Sequence, residues 1–600
     1  RKYKEDNIDI RYFFSKGLCK LLNIFFSTKL KDAKSGFVCS YKDTLNDILN
    51  FKFSYFFPQT FINISAIKKG YNYNEVDTLF FPRILGKSFL PMFPMKEIIL
   101  ILFDIFLAFI EFRFFTKKKS DLERFISNYN INIEDNTPLF SKIKLFIYFI
   151  LTPFHKWNIS RDFYFIYKAL KKSQYLDRED LEKYQLLKLK KLIRHAYGQN
   201  KYYRSIFEKN SITPDSIKSI DDLKKIPPLE KNDLRKNLYK GIISKDINIE
   251  NLYKISTSGS TGEPTILYVN NKQLEFRFAS TLRSMEWTGN YFGDKSVRLW
   301  HQTLGMSQIQ IIKERIDAFL SNRVFFSAYQ MSEKNLPNIL KKIKKLNPKI
   351  IDGYAESFNY IANYLEKNEN YNMKVNSIVT SAQILPLQVR NLIKKKFNCE
   401  IFDKYGSREF SGIAYEDKSQ SGHLVQMESY IVEIVKNGNE VGVNENGEIL
   451  ITDLNNLSLP FIRYKIGDIA EKIDQGPKKN HLRKMQRIGN IIGRTQAIVI
   501  CKNGTCLPGT FFAHFFKDYS NFIAHYQVVQ NEIDALNINC VTLDMYNHDF
   551  EKFLSKELQK YTGKDMVINF KKVKEIPLLE TGKRTAVISN INYNFHNLNI

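Results

Sequence analysis

Six hundred residues are too many for one hydrophobic core, so two to four domains are expected. A hydrophobic content of 44% excludes wholesale disorder. Lys and Arg exceed Asp and Glu by 90 − 63 = 27, but lysine is scattered and no arginine–aromatic array is present, so nucleotide, membrane phosphate or acidic glycan suits the charge and nucleic acid does not. The cysteines, Cys19, Cys39, Cys399, Cys501, Cys506 and Cys540, form no Cys-x-x-Cys pair, so zinc is not expected and reduced thiols are.

Residues 1–94 carry Lys31-Asp-Ala-Lys-Ser-Gly-Phe37, then Gly70-Tyr-Asn-Tyr-Asn-Glu-Val76 and Phe81-Pro-Arg-Ile-Leu-Gly-Lys-Ser88. These segments resemble the second half of a dolichyl-phosphate-mannose-synthase-like family 2 glycosyltransferase. The resemblance implies that Arg83 and Lys87 contact a lipid-linked phosphate, because cations beside a phosphate offset its charge. It also implies that the nucleotide-binding half, with its metal site, would precede residue 1, leaving this α/β piece partial.

The run 95–115 is apolar but interrupted by Asp104, Glu111 and Arg113. A spanning helix wants about 20 mostly uncharged residues, and a charge at mid-bilayer costs about 3 kcal/mol. The expectation is a helix lying on a membrane surface or packed against a partner, with Lys117-Lys-Lys119 suited to anionic headgroups. A second stretch, Leu145 to Leu151, is too short to span and ends at Pro153. Residues 116–141 read as an interdomain linker. The expected divisions are 1–94, 95–155 as apolar membrane-associating helices and linker, 156–493, and 494–600.

From Leu181 onward, Leu181, Tyr184, Leu189, Leu192, Ile193 and Ala196 recur at helical spacing. Short β-rich runs then alternate with helical ones: strands at Ile350-Ile351, Ser377–Thr380 and Glu448–Ile451, helices at Leu336–Leu346 and Leu387–Phe397. This alternation argues for an α/β domain. The stretch Ser256-Thr-Ser-Gly-Ser-Thr-Gly-Glu-Pro-Thr265 follows a strand end and is dense in hydroxyls. Its glycines let backbone amides turn inward together, and its hydroxyls add donors, which suits a polyphosphate. It lacks the lysine of a P-loop.

Downstream come Tyr405-Gly-Ser-Arg-Glu409, Arg463-Tyr-Lys-Ile-Gly-Asp468, Gly493-Arg494-Thr495 and Thr581-Gly582-Lys583. In this order and spacing the set resembles the adenylate-forming superfamily of acyl-CoA synthetases, over roughly residues 175–600. Lys191-Leu-Ile-Arg-His-Ala-Tyr197, Tyr202-Tyr-Arg204, Leu223-Lys-Lys-Ile-Pro227 and Tyr526-Gln-Val-Val-Gln530 are similar to the phenylacetate-CoA ligase and CapK-like branch. The resemblance implies a large AMP-binding domain and a smaller, mobile α+β domain after the hinge near Arg494. It implies that Thr257, Ser258, Gly259, Ser260, Thr261 and Gly262 hold the β- and γ-phosphates of ATP, and that Tyr405, with Gly406 and Ser407, lies against adenine. Glu409 would bind Mg2+ and take part in catalysis, Asp468 would accept from the ribose hydroxyls, Arg494 would support that ribose, and Lys583 would be the catalytic cation at the α-phosphate. His301 is a lesser candidate for the acid pocket.

The departures are Gln496 and Ala497 where acidic hinge residues are usual, and Gln383 where Glu is common. The implied function is activation of a carboxylic acid as acyl-adenylate, then transfer to CoA or another acceptor, in cell-surface polysaccharide assembly at the cytoplasmic face of the membrane. A membrane-associated glycosyltransferase with an accessory ligase, or an inactive ligase-fold scaffold, are the rivals; the acid and its acceptor are unnamed by the sequence.

Overall fold

The computed structural model describes residues 10–26, 28, 30–31, 39–71, 95–112, 120–131, 135–155, 162–256, 265–300, 307–328, 331, 334–368, 375–382, 385, 387–473, 482–492, 498–502, 506–519, 521–576 and 586–591. The chain forms two compact units, residues 1–128 with 149–162, and residues 129–148 with 163–600.

In the smaller unit the helices Ile10–Phe26, Ile62–Lys69 and Met95–Ile110 close over Leu22, Phe26, Phe61, Ile64, Ile105 and Ala108. The charges that interrupt the apolar run turn inward. Asp104 and Glu111 are fully buried. Asp104 accepts the amides of Phe56 at 3.0 Å and Phe57 at 2.7 Å. Glu111 accepts the amides of Lys52 and Phe53 at 2.9 and 3.0 Å and the Tyr55 hydroxyl at 2.8 Å. Ionised acceptors of this kind make strong bonds to amides. The opposite face shows Ile99, Leu102, Phe103 and Phe106 to solvent, at the spacing of one helical stripe. No described helix is long and apolar enough to cross a membrane.

The stretch 116–141, expected as an interdomain linker, contains the division between the two units at Asn128 and Tyr129 and carries some helix of its own. Ser120 caps the helix Asp121–Ile126, with Glu123 reaching back to the Ser120 amide in a capping box. A second helix begins within the same stretch, at Leu139.

In the larger unit the helix Phe163–Ser173 is followed by the helix Arg178–Gln199, whose Leu181, Tyr184, Leu189, Leu192, Ile193 and Ala196 are all buried, as their spacing predicts. Strands β1 (Tyr253–Ser256) and β2 (Ile266–Val269) form a hairpin around the hydroxyl-rich loop. Next come β3 (Ser296–Trp300), β4 (Arg323–Ser327), β5 (Ile350–Tyr354), β6 (Ser377–Ser381) and β7 (Glu400–Ser407). They run parallel in the order β7-β6-β5-β3-β4, and the predicted helices Leu336–Leu346 and Leu387–Phe397 form as crossovers. Crossover helices hold parallel strands side by side. Strands β8 (Ser411–Glu416) and β9 (His423–Val425) extend the sheet antiparallel.

Strands β10 (Tyr430–Lys436), β11 (Asn439–Glu440), β12 (Asn446–Asp453) and β13 (Tyr464–Glu471) make a second, antiparallel sheet. Strand β14 (Arg487–Ile488) returns to β9, and β15 (Ile491–Ile492) joins β13. A C-terminal α+β part follows. It comprises the hairpin β16 (Ile498–Ile500) and β17 (Cys506–Pro508), the helices Gly509–Lys517 and His548–Thr562, and a four-stranded sheet. That sheet has β18 (Ile523–Glu532) and β19 (Ala535–Thr542) at its centre, with β20 (Val567–Lys572) and β21 (Val587–Ser589) at its edges. Cys19, Cys39, Cys399, Cys501 and Cys540 are in no disulfide, as expected.

Candidate functional site

Two sheets supply the centre of the site. The Tyr405 hydroxyl, on β7 of the large sheet, donates to Asp468 Oδ2, on β13 of the second sheet, at 3.1 Å. Tyr405 is buried and Asp468 half-buried. A bulge aims Asp468. Glu448 pairs with Ile469 and Leu450 with Lys465, so Ile466, Gly467 and Asp468 stand opposite Ile449 alone. Gly467 sits at φ 89°, a conformation that a Cβ disfavours. Bulges of this kind re-aim side chains next to sites.

The turn after Tyr405 is equally constrained. A Cβ on Gly406 would land on the Ser411 carbonyl oxygen. The Ser407 hydroxyl accepts from the Phe410 amide at 3.3 Å, and Ser411 takes φ 65°. Arg408 and Glu409 therefore lie at a tight hairpin tip. Arg277, buried on the helix Asn271–Trp287, donates through Nη2 to the Glu409 carbonyl. Among the described residues the Glu409 carboxylate has no hydrogen bond or close ion pair, and its charge acts on Arg408. Burial and then Arg277 lower the pKa of Arg408, while Glu409 and Tyr354 oppose them. The ring of Tyr354, at the end of β5, stacks on Trp300, at the end of β3, with centroids 4.1 Å apart. Carboxyl ends of parallel strands are where open α/β sheets bind ligands.

The early motifs converge on the segment just before Asp468. The Tyr203 hydroxyl donates to the Pro460 carbonyl and accepts from the Ile462 amide, both at 3.1 Å. Arg463 Nη1 donates to the Ile226 carbonyl at 2.7 Å, and its guanidinium pairs with Glu433 at 3.0 Å. The Leu229 amide bonds the Arg463 carbonyl, and the Lys465 amide bonds the Leu229 carbonyl. Sequence reading named Arg463 only as part of a motif and missed its positioning role. Its signal was an arginine inside an otherwise apolar strand entry.

Thus Tyr405, Gly406, Ser407, Glu409 and Asp468 come together. Thr257, Ser258, Gly259, Ser260, Thr261, Gly262, Arg494 and Lys583 lie outside the described residues, as do Arg83, Lys87 and His301. Among the described residues no group of three or more His, Cys, Asp or Glu could hold a metal. Mg2+ needs no such group, since it keeps waters and takes one or two carboxylates with substrate phosphates. The Glu409 carboxylate fits that requirement.

Beside this arrangement, a Tyr–Asp pair at a sheet junction and a carboxylate at a hairpin tip, stand likenesses to known proteins. Residues 499–590 match the family model described as the CapK C-terminal domain. The chain is homologous to CapK and to phenylacetate-CoA ligases. It is 28% identical to protein CapK of Staphylococcus aureus over 421 residues, which covers 69% of this chain and 90% of that protein. It is 24% identical to the phenylacetate-coenzyme A ligase of Pseudomonas putida over 337 residues, 55% of this chain and 74% of that one. Among solved structures, 2-hydroxyisobutyryl-CoA ligase in complex with 2-HIB-AMP and CoA aligns with 70% of this chain and 91% of its own, at TM-score 0.48 and 17% identity. None of these relatives supports the glycosyltransferase reading of residues 1–94.

Proposed function

We propose that this chain joins a carboxylic acid to ATP as an acyl-adenylate and then passes the acyl group to CoA or another acceptor. The 3.1 Å Tyr405–Asp468 contact carries this reading, because it brings two motifs 63 residues apart to one place. In the proposed reaction a carboxylate oxygen attacks the α-phosphorus, the bond to the β-phosphate oxygen breaks, and pyrophosphate leaves. An acceptor thiol, amine or hydroxyl then attacks the acyl carbon and AMP departs. Asp468 accepts from the ribose, Tyr405 flanks the base, and the hydroxyl-rich loop 257–262 takes the outer phosphates. Lys583 approaches the α-phosphate from the small domain, 494–600, and Arg494 stands at the hinge after the large domain, 156–493. When bound, Mg2+ at Glu409 would offset charge on the phosphate oxygens. The proposed setting, cell-surface polysaccharide assembly, is the one the resemblance to CapK-like proteins implies.

Carboxylate-dependent ATP–pyrophosphate exchange by the full chain, over aryl, fatty and sugar acids, tests this. Exchange with one acid class is expected, falling about a hundredfold or more in Lys583→Ala, the usual loss when a transition-state donor is removed. A chain that binds no ATP by calorimetry would overturn the reading and leave the scaffold.

A second reading concerns the smaller unit. The inside-out helix Met95–Ile110, with buried carboxylates and an exposed Ile–Leu–Phe stripe, is proposed to lie on an anionic lipid surface, which the following Lys117-Lys-Lys119 would attract. Sedimentation with phosphatidylglycerol vesicles should fall in Phe103→Ser/Phe106→Ser. Equal sedimentation of both proteins, or a dimer by light scattering that the variant dissolves, would refute it.

A further inference from the structure

We propose that Arg408, backed by Arg277, is an oxyanion seat in this site, taking a nucleotide phosphate oxygen or a second carboxylate of the acid. The inference rests on the adenylation reading and adds a residue to it. Arg408 follows Tyr405 by three residues, so at about 3.5 Å per residue its Cα lies within about 10 Å of that of Tyr405. The hairpin cannot relax to carry it away, because Gly406 abuts the Ser411 carbonyl and Ser407 caps the turn.

Arg277 reaches the same tip from behind. Its Nη2 is committed to the Glu409 carbonyl, while its buried Nε has no hydrogen-bond partner among the described residues. Neither guanidinium lies within ion-pair distance of a described carboxylate, although the charge of Arg277 acts on Asp453 and that of Arg408 on Glu409. Elsewhere in this unit buried arginines do: Arg283 with Glu428 at 2.6 Å, Arg463 with Glu433 at 3.0 Å, and Arg487 with Asp417 at 3.3 Å. Arg277 and Arg408 repel each other at this turn, and an anion seated between them lessens that repulsion. A guanidinium offers a planar fork of donors that matches phosphate and carboxylate oxygens. Arg408 is crowded by its neighbours yet reaches solvent, so a ligand can meet it at the tip. Tyr354, stacked on Trp300 at the carboxyl ends of the parallel strands, is near enough to act on the charge of Arg408.

The test is calorimetry on the full chain and on Arg408→Ala and Arg408→Lys, all matched for thermal melting. ATP is titrated with Mg2+ and with EDTA, and succinate against butyrate serves as the acid probe in the presence of AMP. If a phosphate occupies the seat, Arg408→Ala weakens ATP binding by about tenfold or more, as expected for a lost charged hydrogen bond, and more so in EDTA, while lysine restores part. If a second carboxylate occupies it, ATP is unchanged, and the preference of the wild type for succinate over butyrate disappears in the variant. Affinities for ATP and succinate within twofold of wild type would overturn the proposal while leaving adenylation intact. A wild type that binds no ATP would remove the adenylation reading and this inference with it.

Discussion

Arg463 shows how one side chain sets a site it does not touch. It is buried at φ 51°, a left-handed conformation costing about 1–2 kcal/mol, and its guanidinium answers Glu433 and the Ile226 carbonyl. Burial pushes the Glu433 carboxyl up and Arg463 pulls it back. Arg463→Ala should therefore cost about 3–5 kcal/mol in urea denaturation, the usual loss when one partner of a buried pair is removed. A loss below about 1 kcal/mol would refute the assignment. His423 makes a pH-dependent contribution. Burial works against its charge, but the hydrogen bond to Asp403 Oδ2 at 3.0 Å, with the charges of Asp403 and Glu416, raises its pKa overall. A raised folded pKa stabilises below the unfolded value of about 6.5 and loses that stability as pH rises through the folded value. The melting-temperature gap between wild type and His423→Asn should thus be wider at pH 5.5 than at pH 9, and a constant gap would refute it. Sequence named Asp468 and Tyr405 as candidates but could not join Arg463 to Ile226, because their pairing needs a chain reversal across more than 200 residues.

At the scale of elements, periodicity was enough where one face is buried and one is wet. The helices Leu336–Leu346 and Leu387–Phe397 and the strand at 448–451 formed where their spacing put them. What periodicity missed was irregularity. The bulge at Ile466–Asp468 breaks the alternation that identifies a strand, and the Asp121–Ile126 helix is too short to show a period, although its Ser120–Glu123 box was legible. The inside-out helix Met95–Ile110 is a related case: its carboxylates signalled a break in a spanning run and instead mark the face that meets protein. The bulge carries a prediction. Gly467→Ala should retain the fold at a cost of about 1–2 kcal/mol, yet weaken ATP binding, because the strained residue flattens the bulge and swings Asp468 from Tyr405. An alanine variant with unchanged ATP affinity would show that the bulge does not aim the carboxylate.

Over the whole molecule, composition announced several domains, and the chain divides into two compact units. Units with separate cores need not unfold together. Trp287 and Trp300 lie in the larger unit, so in a Trp157→Phe background fluorescence should follow that unit alone, while far-UV circular dichroism should show an additional transition in urea. Superimposable curves would mean one cooperative molecule. Stability in the larger unit rests on distant partners such as the fully buried Arg283–Glu428 pair, to which Ser173 adds a hydroxyl donor at 2.5 Å. The bonds between Tyr203 and Pro460–Ile462 have a consequence in time. At a synthesis rate of about 5–20 residues per second, Tyr203 leaves the ribosome roughly 13–50 s before its partners exist. Contacts so far apart in sequence also close slowly. The nascent chain must keep this tyrosine and its apolar neighbours from other partners for that interval, and the strand that presents Asp468 can be seated only after it.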